Sequence, residues 1–211
     1  MIENKCAHLL KQHEYREDSI NYMFGMQYDL QKFVSDKRKN LSPDTKNVKR
    51  SCHEALYYWG CLTAEYAELQ ERDWSNNPTA ELLLETQFEY IDMYHFLMNF
   101  FIFTKQHEFD FTLEDLYNET PDTFCEPNLQ VEKQWSTLSV LAGEYMDILP
   151  YKHWKTYKLP KLETEELLAK AKQILYSFIL MGKALGITKE HFFNLYISKN
   201  QENINRQKNN Y

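Results

Sequence analysis

Four carboxylates in this sequence form two pairs with the same spacing. Glu65 and Glu68 are three residues apart, and so are Glu89 and Asp92. In a helix, residues three apart lie on one face, so each pair presents its side chains together. If the two helices pack side by side, the four acids face each other, and a dry core cannot hold them ionised without a cation. Hard oxygen ligands of this kind predict a site for Mg²⁺, or for Mn²⁺.

In the segment that carries Glu89 and Asp92, nearly all the remaining residues from 88 to 103 are apolar, as is typical of a buried helix. Its polar exceptions recur at helical spacing and form a narrow stripe: Glu85, Glu89, Asp92, His95 and Asn99. The facing segment has a comparable stripe: Tyr58, Cys61, Glu65, Glu68 and Arg72. Each stripe alone is also what a solvent-exposed helix face looks like. Two stripes joined by a short turn favour a shared site.

The elements that must position these residues are helices. Only five Gly and six Pro occur, and they fall between long stretches of helical periodicity. The pattern predicts helices at about 19–37, 46–73, 79–105, 129–149, 163–185 and 189–202, with a short helix within 110–119. We therefore expect an all-α helical bundle that forms a single domain over residues 1–211.

A faint internal repeat suggests that the core is a duplicated helix hairpin. Residues 62–69 resemble residues 141–148, and a Trp follows each segment. A metal-binding helix pair would then cover residues 46–105, and a degenerate second pair residues 129–185. Where the second pair would place its acids, the sequence has Ala171 and Ile174.

Composition excludes some classes of protein. The formal net charge of −7 argues against a nucleic-acid-binding face. No apolar run approaches the length of a membrane span, and the polar N-terminus is unlike a signal peptide. The cysteines form neither a CxxC pair nor a zinc spacing, which predicts reduced thiols: Cys6, Cys52, Cys61 and Cys125. We expect a soluble, cytoplasmic protein (in the host cytoplasm if it is phage-encoded).

The order of these motifs resembles a known superfamily. Glu65-x-x-Glu68 followed by Glu89-x-x-Asp92 is similar to the metal signature of the all-α nucleoside triphosphate pyrophosphatases. That group includes dimeric dUTPases, phage dCTP/dUTP pyrophosphatases and MazG-type enzymes. The continuation to His95 resembles the dimeric dUTPase version in particular.

The C-terminal segment, residues 189–211, adds a second resemblance. Residues 196–211 read Tyr-Ile-Ser-Lys-Asn-Gln-Glu-Asn-Ile-Asn-Arg-Gln-Lys-Asn-Asn-Tyr. This order is similar to the closing motif of dimeric dUTPases and phage dCTPases, which contacts the phosphates and the sugar. A Met-Gln element that ends at Gln27 resembles the family's base-facing amide.

The resemblance implies an enzyme that hydrolyses dUTP to dUMP and pyrophosphate with Mg²⁺, or with Mn²⁺. It implies that Glu65, Glu68, Glu89 and Asp92 hold the metal, with Glu65 as the catalytic base. The implied substrate-binding residues are Gln27, Phe96, Asn99, Lys199, Asn203, Arg206 and Tyr211. It further implies a homodimer of MazG/dimeric-dUTPase fold that binds a deoxypyrimidine nucleoside triphosphate.

Two departures from the family pattern leave alternatives open. The lysine-bearing WKxWK segment is reduced to Asp73-Trp74, and Asn210 replaces a glycine before Tyr211. A dCTP pyrophosphatase, or an enzyme for both dCTP and dUTP, fits the same motifs. A helical interaction protein that kept the fold without the activity is a further alternative.

Overall fold

Seven α-helices, and no β-strand, make up the part of the chain that the structure describes. The computed structural model describes residues 13–75, 78–104, 106, 108–121, 126–149 and 164–209. The helices are α1 (Ser19–Arg38), α2 (Val48–Glu71), α3 (Ala80–Phe103), α4 (Leu113–Glu119), α5 (Pro127–Ile148), α6 (Thr164–Ala184) and α7 (Lys189–Lys208). The predicted all-α fold is confirmed.

Local side-chain chemistry sets the helix boundaries. Thr79 accepts a hydrogen bond from the Leu82 amide at 3.1 Å, and Thr188 accepts one from the His191 amide at 3.2 Å. Gly186, with a φ of 72°, follows the end of α6 in the left-handed conformation that glycine favours. α7 continues to Lys208, beyond its predicted end near residue 202, because no proline or glycine interrupts residues 189–208.

Helix α3 lies at the centre of the bundle. It packs against α1, α2, α6 and α7, and of its apolar residues from Phe88 onward only Phe96 is partly exposed. α2 runs antiparallel to it, since the Ser51 hydroxyl donates to the Phe103 carbonyl at one end and Arg72 pairs with Glu85 at the other. This packing turns the polar stripe of α3 toward α1, α2 and α7.

Aromatic contacts dock the second hairpin, α5–α6, onto the first. Tyr90 of α3 stacks on Phe178 of α6 with ring centroids 4.4 Å apart, and its hydroxyl donates to the Phe178 carbonyl at 2.7 Å. A Cβ added at Gly182 would lie 2.7 Å from that hydroxyl oxygen, so the approach requires glycine. Trp135 of α5 stacks on Tyr66 of α2 with centroids 4.0 Å apart.

Two further sequence expectations concern membranes and thiols. No helix among the described residues is long and apolar enough to cross a membrane. Cys52 and Cys61 form no disulfide bond within the described part of the chain, and Cys6 and Cys125 lie outside it.

Candidate active site

Three of the four predicted metal-binding carboxylates lie together between α2 and α3. Oxygen atoms of Glu65, Glu89 and Asp92 all lie within 4.8 Å of one another, and each side chain is partly buried. Glu68, the fourth predicted ligand, is one turn along α2 from Glu65 and is exposed, outside this group. We call Glu65, Glu89 and Asp92 the acidic group.

Two cationic side chains contact different members of the acidic group. Lys199 of α7 lies with its Nζ 2.8 Å from Asp92 Oδ2. Arg72, which caps the C-terminus of α2, contacts Glu89 and also Glu85, whose Oε2 is 3.0 Å from its Nη1. The acidic group is therefore ion-paired with one cation at the end of α2 and with another on α7.

Burial and mutual repulsion disfavour ionisation of the acidic group. Burial first, and then the charge of Asp92, raises the pKa of Glu65 to about 7. Burial raises the pKa of Asp92 to about 6, although the ammonium of Lys199 opposes this rise. A divalent cation would stabilise the ionised form of these acids, and a donor set made only of oxygen atoms suits Mg²⁺ or Mn²⁺. The residues present therefore fit the expected metal.

A cavity of about 890 Å³ opens beside the acidic group. That volume is within the usual range for a small-molecule site. Residues of α1, α2, α3 and α7 line it, including many of the residues predicted from the sequence: Gln27, Glu65, Asp92, Phe96, Asn99, Asn203 and Arg206. Of the remaining predicted residues, Glu89 and Lys199 contact this set through the acidic group, and Tyr211 lies outside the described residues.

A buried hydrogen-bond network underlies one end of the cavity. Gln27 Nε2 donates to Asn99 Oδ1 at 2.9 Å, and Gln27 Oε1 lies 2.7 Å from His95 Nδ1. The Tyr196 hydroxyl lies 2.9 Å from the Met23 carbonyl and 3.2 Å from Gln27 Oε1. Because the Gln27 oxygen accepts, His95 Nδ1 carries the hydrogen of the neutral ring. Asn99, whose Oδ1 accepts from Gln27, also lines the cavity.

His95 is a functional candidate that the predicted set of substrate-binding residues omitted. Burial lowers its pKa to about 3, and the charge of Lys199 adds to this effect, so the ring is neutral. Its Nε2 is buried and has no hydrogen-bond partner among the described residues. His95 Nε2 is thus a buried acceptor without a partner among the described residues, in a side chain that lines the cavity together with Asn99. The polar stripe of α3 could have indicated His95 as a site residue. Its contact with Gln27 depends on how α1 packs against α3, and no local sequence motif predicts that packing.

Aromatic side chains form another wall of the cavity. Phe96 and Tyr58 stack with ring centroids 6.2 Å apart, and Tyr57 adjoins them. Phe96 is the partly exposed exception on α3, so part of its ring stays open to a ligand. A planar heterocycle is the kind of ligand that such a face stacks against.

The predicted C-terminal substrate-binding residues lie on α7. Asn203 and Arg206 line the cavity, and Lys199 lies one turn deeper, at Asp92. Glu202 bridges the two cations, contacting Arg206 and lying 3.6 Å from the Lys199 Nζ. The helix therefore presents two cations toward the cavity and the acidic group.

Comparison with known proteins gives one match. A family model described as dUTPase matches residues 19–126 and 159–211, most of the chain. All the predicted site residues lie inside this match, whereas the unmatched stretch contains the whole of α5. No curated protein and no solved structure matches the chain.

Proposed function

Because the chain belongs to the dUTPase family, we propose that it hydrolyses dUTP to dUMP and pyrophosphate with Mg²⁺. The observation that carries this proposal is the position of the acidic group at one wall of a cavity that offers a stacking face and base-reading groups. A triphosphate bound with its base against Phe96 would extend its phosphates toward Glu65 and Asp92.

The acidic group would hold the metal. Bound there by Glu65, Glu89 and Asp92, Mg²⁺ would neutralise phosphate charge and favour attack by water at the α-phosphorus. Glu68 is an additional proposed ligand, although its side chain is exposed in the structure.

Glu65 is the proposed general base. Glu65 lines the cavity as a member of the acidic group, so one of its oxygens would take the proton of the attacking water. A bond then forms from the water oxygen to the α-phosphorus, the α–β bridging bond breaks, and pyrophosphate leaves. Lys199 and Arg206 would bind the phosphate oxygens, and Asn203 and Tyr211 would complete the contacts to the substrate.

Base recognition would use the buried network. Uracil presents an N–H beside a carbonyl oxygen, which matches the acceptor of His95 and the donor of Asn99. Gln27 would act from behind, fixing the orientation of both side chains. Cytosine presents the same pair of groups, an amino donor beside the N3 acceptor, so dCTP is the second candidate substrate.

Substrate identity can be tested by measuring pyrophosphate release from dUTP, dCTP, dTTP, the purine deoxynucleotides and the ribonucleotides with Mg²⁺. We expect dUTP to give the highest kcat/KM, and both deoxypyrimidines dUTP and dCTP to exceed every purine. Comparable rates on ATP or GTP would contradict the assignment, and no release from any nucleotide would indicate an inactive helical interaction protein.

We also propose that the enzyme is a cytoplasmic homodimer. Exposed apolar side chains on α2, Leu56 and Tyr57, are compatible with a subunit contact. Light scattering gives the mass in solution, and a monomer at micromolar concentration would contradict the dimer.

A further inference from the structure

Arg72 holds one of the acidic-group carboxylates and also a carboxylate outside that group. Its guanidinium contacts Glu89 through Nη2 and Glu85 through Nη1. These acids are one helical turn apart on α3, and only Glu89 belongs to the acidic group. Arg72 therefore occupies the border between that group and the neighbouring turn.

The guanidinium keeps unused hydrogen-bonding capacity. Its Nε is buried and has no hydrogen-bond partner among the described residues. About a quarter of the side chain, 26%, remains exposed. A guanidinium has five N–H donors in a planar fork and is suited to phosphate oxygens. Arg72 can therefore change partners without losing its charge or its hold on Glu85.

We propose that Arg72 is an internal counter-ion of Glu89 that a divalent cation displaces, and that the displaced guanidinium binds the pyrophosphate end of the substrate. This inference rests on the proposed function, because it needs the acidic group to bind a metal. Glu85 has a defined part in it: it retains the guanidinium at the edge of the site when Glu89 turns to the cation.

The consequence is a coupling between cation binding and anion binding. In the protein alone, Glu89 neutralises Arg72 and Asp92 neutralises Lys199, so an anion finds little available positive charge. A cation on the acidic group frees the guanidinium beside it. By linkage, the anion must then strengthen cation binding by the same factor.

Calorimetry with Mn²⁺ alone, and then with inorganic pyrophosphate added to the Mn²⁺-saturated protein, tests the two halves separately. In Arg72→Gln, Mn²⁺ should bind about fivefold more tightly or better, because its competitor for Glu89 is gone. Pyrophosphate should bind about fivefold more weakly or worse, because the guanidinium is also gone. Arg16→Gln is the matched control, since it removes an exposed arginine that is paired with Asp18 and does not line the cavity, and it should change neither affinity.

A double-mutant cycle separates the proposed exchange from a general charge effect. Glu85→Gln should weaken Mn²⁺ binding in the natural background, because Arg72 then pairs with Glu89 alone. In the Arg72→Gln background the same change should have a much smaller effect. Additive effects would contradict the exchange, because simple charge removal adds between independent sites.

Unchanged or weaker Mn²⁺ binding in Arg72→Gln, or unchanged pyrophosphate binding, overturns the inference. If Arg72→Gln does not fold, Arg72→Lys replaces it: a lysine lacks the planar fork that binds phosphate oxygens in pairs, so pyrophosphate should still bind more weakly. If the natural protein releases pyrophosphate and binds Mn²⁺ while the Arg72 variants behave like it, only this inference fails. If the natural protein binds no Mn²⁺ and cleaves no nucleotide, the proposed function fails with it.

Discussion

The two helix hairpins, α2–α3 and α5–α6, share a design but differ in what their equivalent positions contain. Glu65 of α2 belongs to the partly buried acidic group, whereas Glu144, its counterpart in the sequence repeat, contacts Lys170 and is half exposed. Where the sequence repeat predicts the counterparts of Glu89 and Asp92, α6 has Ala171 and Ile174, which are fully buried. The difference teaches that a few positions on one face decide whether a hairpin forms a site or only packs.

This difference has an energetic side. Apolar contacts stabilise the second hairpin directly, because burial of Ile174 removes apolar surface from water. The first hairpin keeps acids in a partly buried place, where ionisation is disfavoured, and places Arg72 and Lys199 against them. The proposed site therefore lies in the hairpin whose inner face contains partly buried acids.

Replacing the acids gives the strongest test of the comparison. Asp92→Asn and Glu65→Gln should each lower kcat/KM for dUTP by about 100-fold or more, since even the outer partners of metal ligands contribute 10- to 100-fold. Glu144→Gln should leave turnover unchanged, because the equivalent acid in the second hairpin has no part in the site. Steady-state pyrophosphate release measures all three variants. Near-normal turnover of Asp92→Asn in saturating Mg²⁺ would mean that the hairpins do not differ in function.

Two cations, one at the cavity and one in the second hairpin, provide a second test of the comparison. Arg206 lines the cavity, whereas Lys170 on α6 pairs with Glu144 in the second hairpin. Arg206→Ala should raise the barrier in kcat/KM by about 1.5–3 kcal/mol, the usual size of a hydrogen bond to a charged group. Lys170→Ala, measured in the same assay, should have no effect. Equal kinetic losses in the two variants would contradict a phosphate-binding role for Arg206.

The docking of one hairpin on the other depends on Gly182. Alanine there would place its Cβ against the Tyr90 hydroxyl, so Gly182→Ala should destabilise the protein by about 1–3 kcal/mol through overpacking. Gly143→Ala is the control, because nothing lies within 4 Å of its added Cβ, and it should stabilise α5 by about 0.5–1 kcal/mol. Urea unfolding measures both variants. A Gly182→Ala variant as stable as the natural protein, or more stable, would mean that Tyr90 moves aside without cost.

The smallest expected effect is on the pH dependence of stability without metal. The pKa of Glu65 is raised in the folded protein, to about 7, so the folded state keeps a proton that the unfolded chain has released. Its contribution to stability is therefore present at low pH and is lost as the pH rises through about 7. With a chelator present, the melting temperature of Glu65→Gln should fall less between about pH 5 and about pH 8 than that of the natural protein. The fall for Glu144→Gln should equal that of the natural protein.

Sequence patterns were sufficient for what is local. Periodicity, prolines and caps predicted the helices, and the polar stripe of α3 includes Glu89 and Asp92 of the acidic group and Asn99 of the cavity wall. The exposure of Glu68 was harder to predict. Residues three apart are displaced about 60° around a helix, and Glu89 and Asp92 both stay within the acidic group at that spacing, so the packing of α2 against α3 decides that Glu68 is exposed.

Contacts between helices distant in sequence were beyond prediction. The partner of Arg72 on α3, the buried link from His95 to Gln27 and the approach of Tyr90 to Gly182 all depend on how helices settle against one another. In each pair, the sequence around one residue does not indicate which residue it contacts. A single sequence read for periodicity therefore shows which side chains share a face, but not which ones meet across it.

The cavity is closed by the first and last of the described helices, and this has a consequence for protein synthesis. Tyr196 of α7 donates a hydrogen bond to the Met23 carbonyl of α1, 173 positions earlier in the chain. A ribosome releases α1, α2 and α3 long before α7, and domains fold from the N-terminus as they emerge. Helices α2 and α3 can thus pair while translation continues, but the cavity beside the acidic group forms only after α7 has been synthesised. A nascent chain stalled before residue 189 should contain paired helices and yet retain no nucleotide.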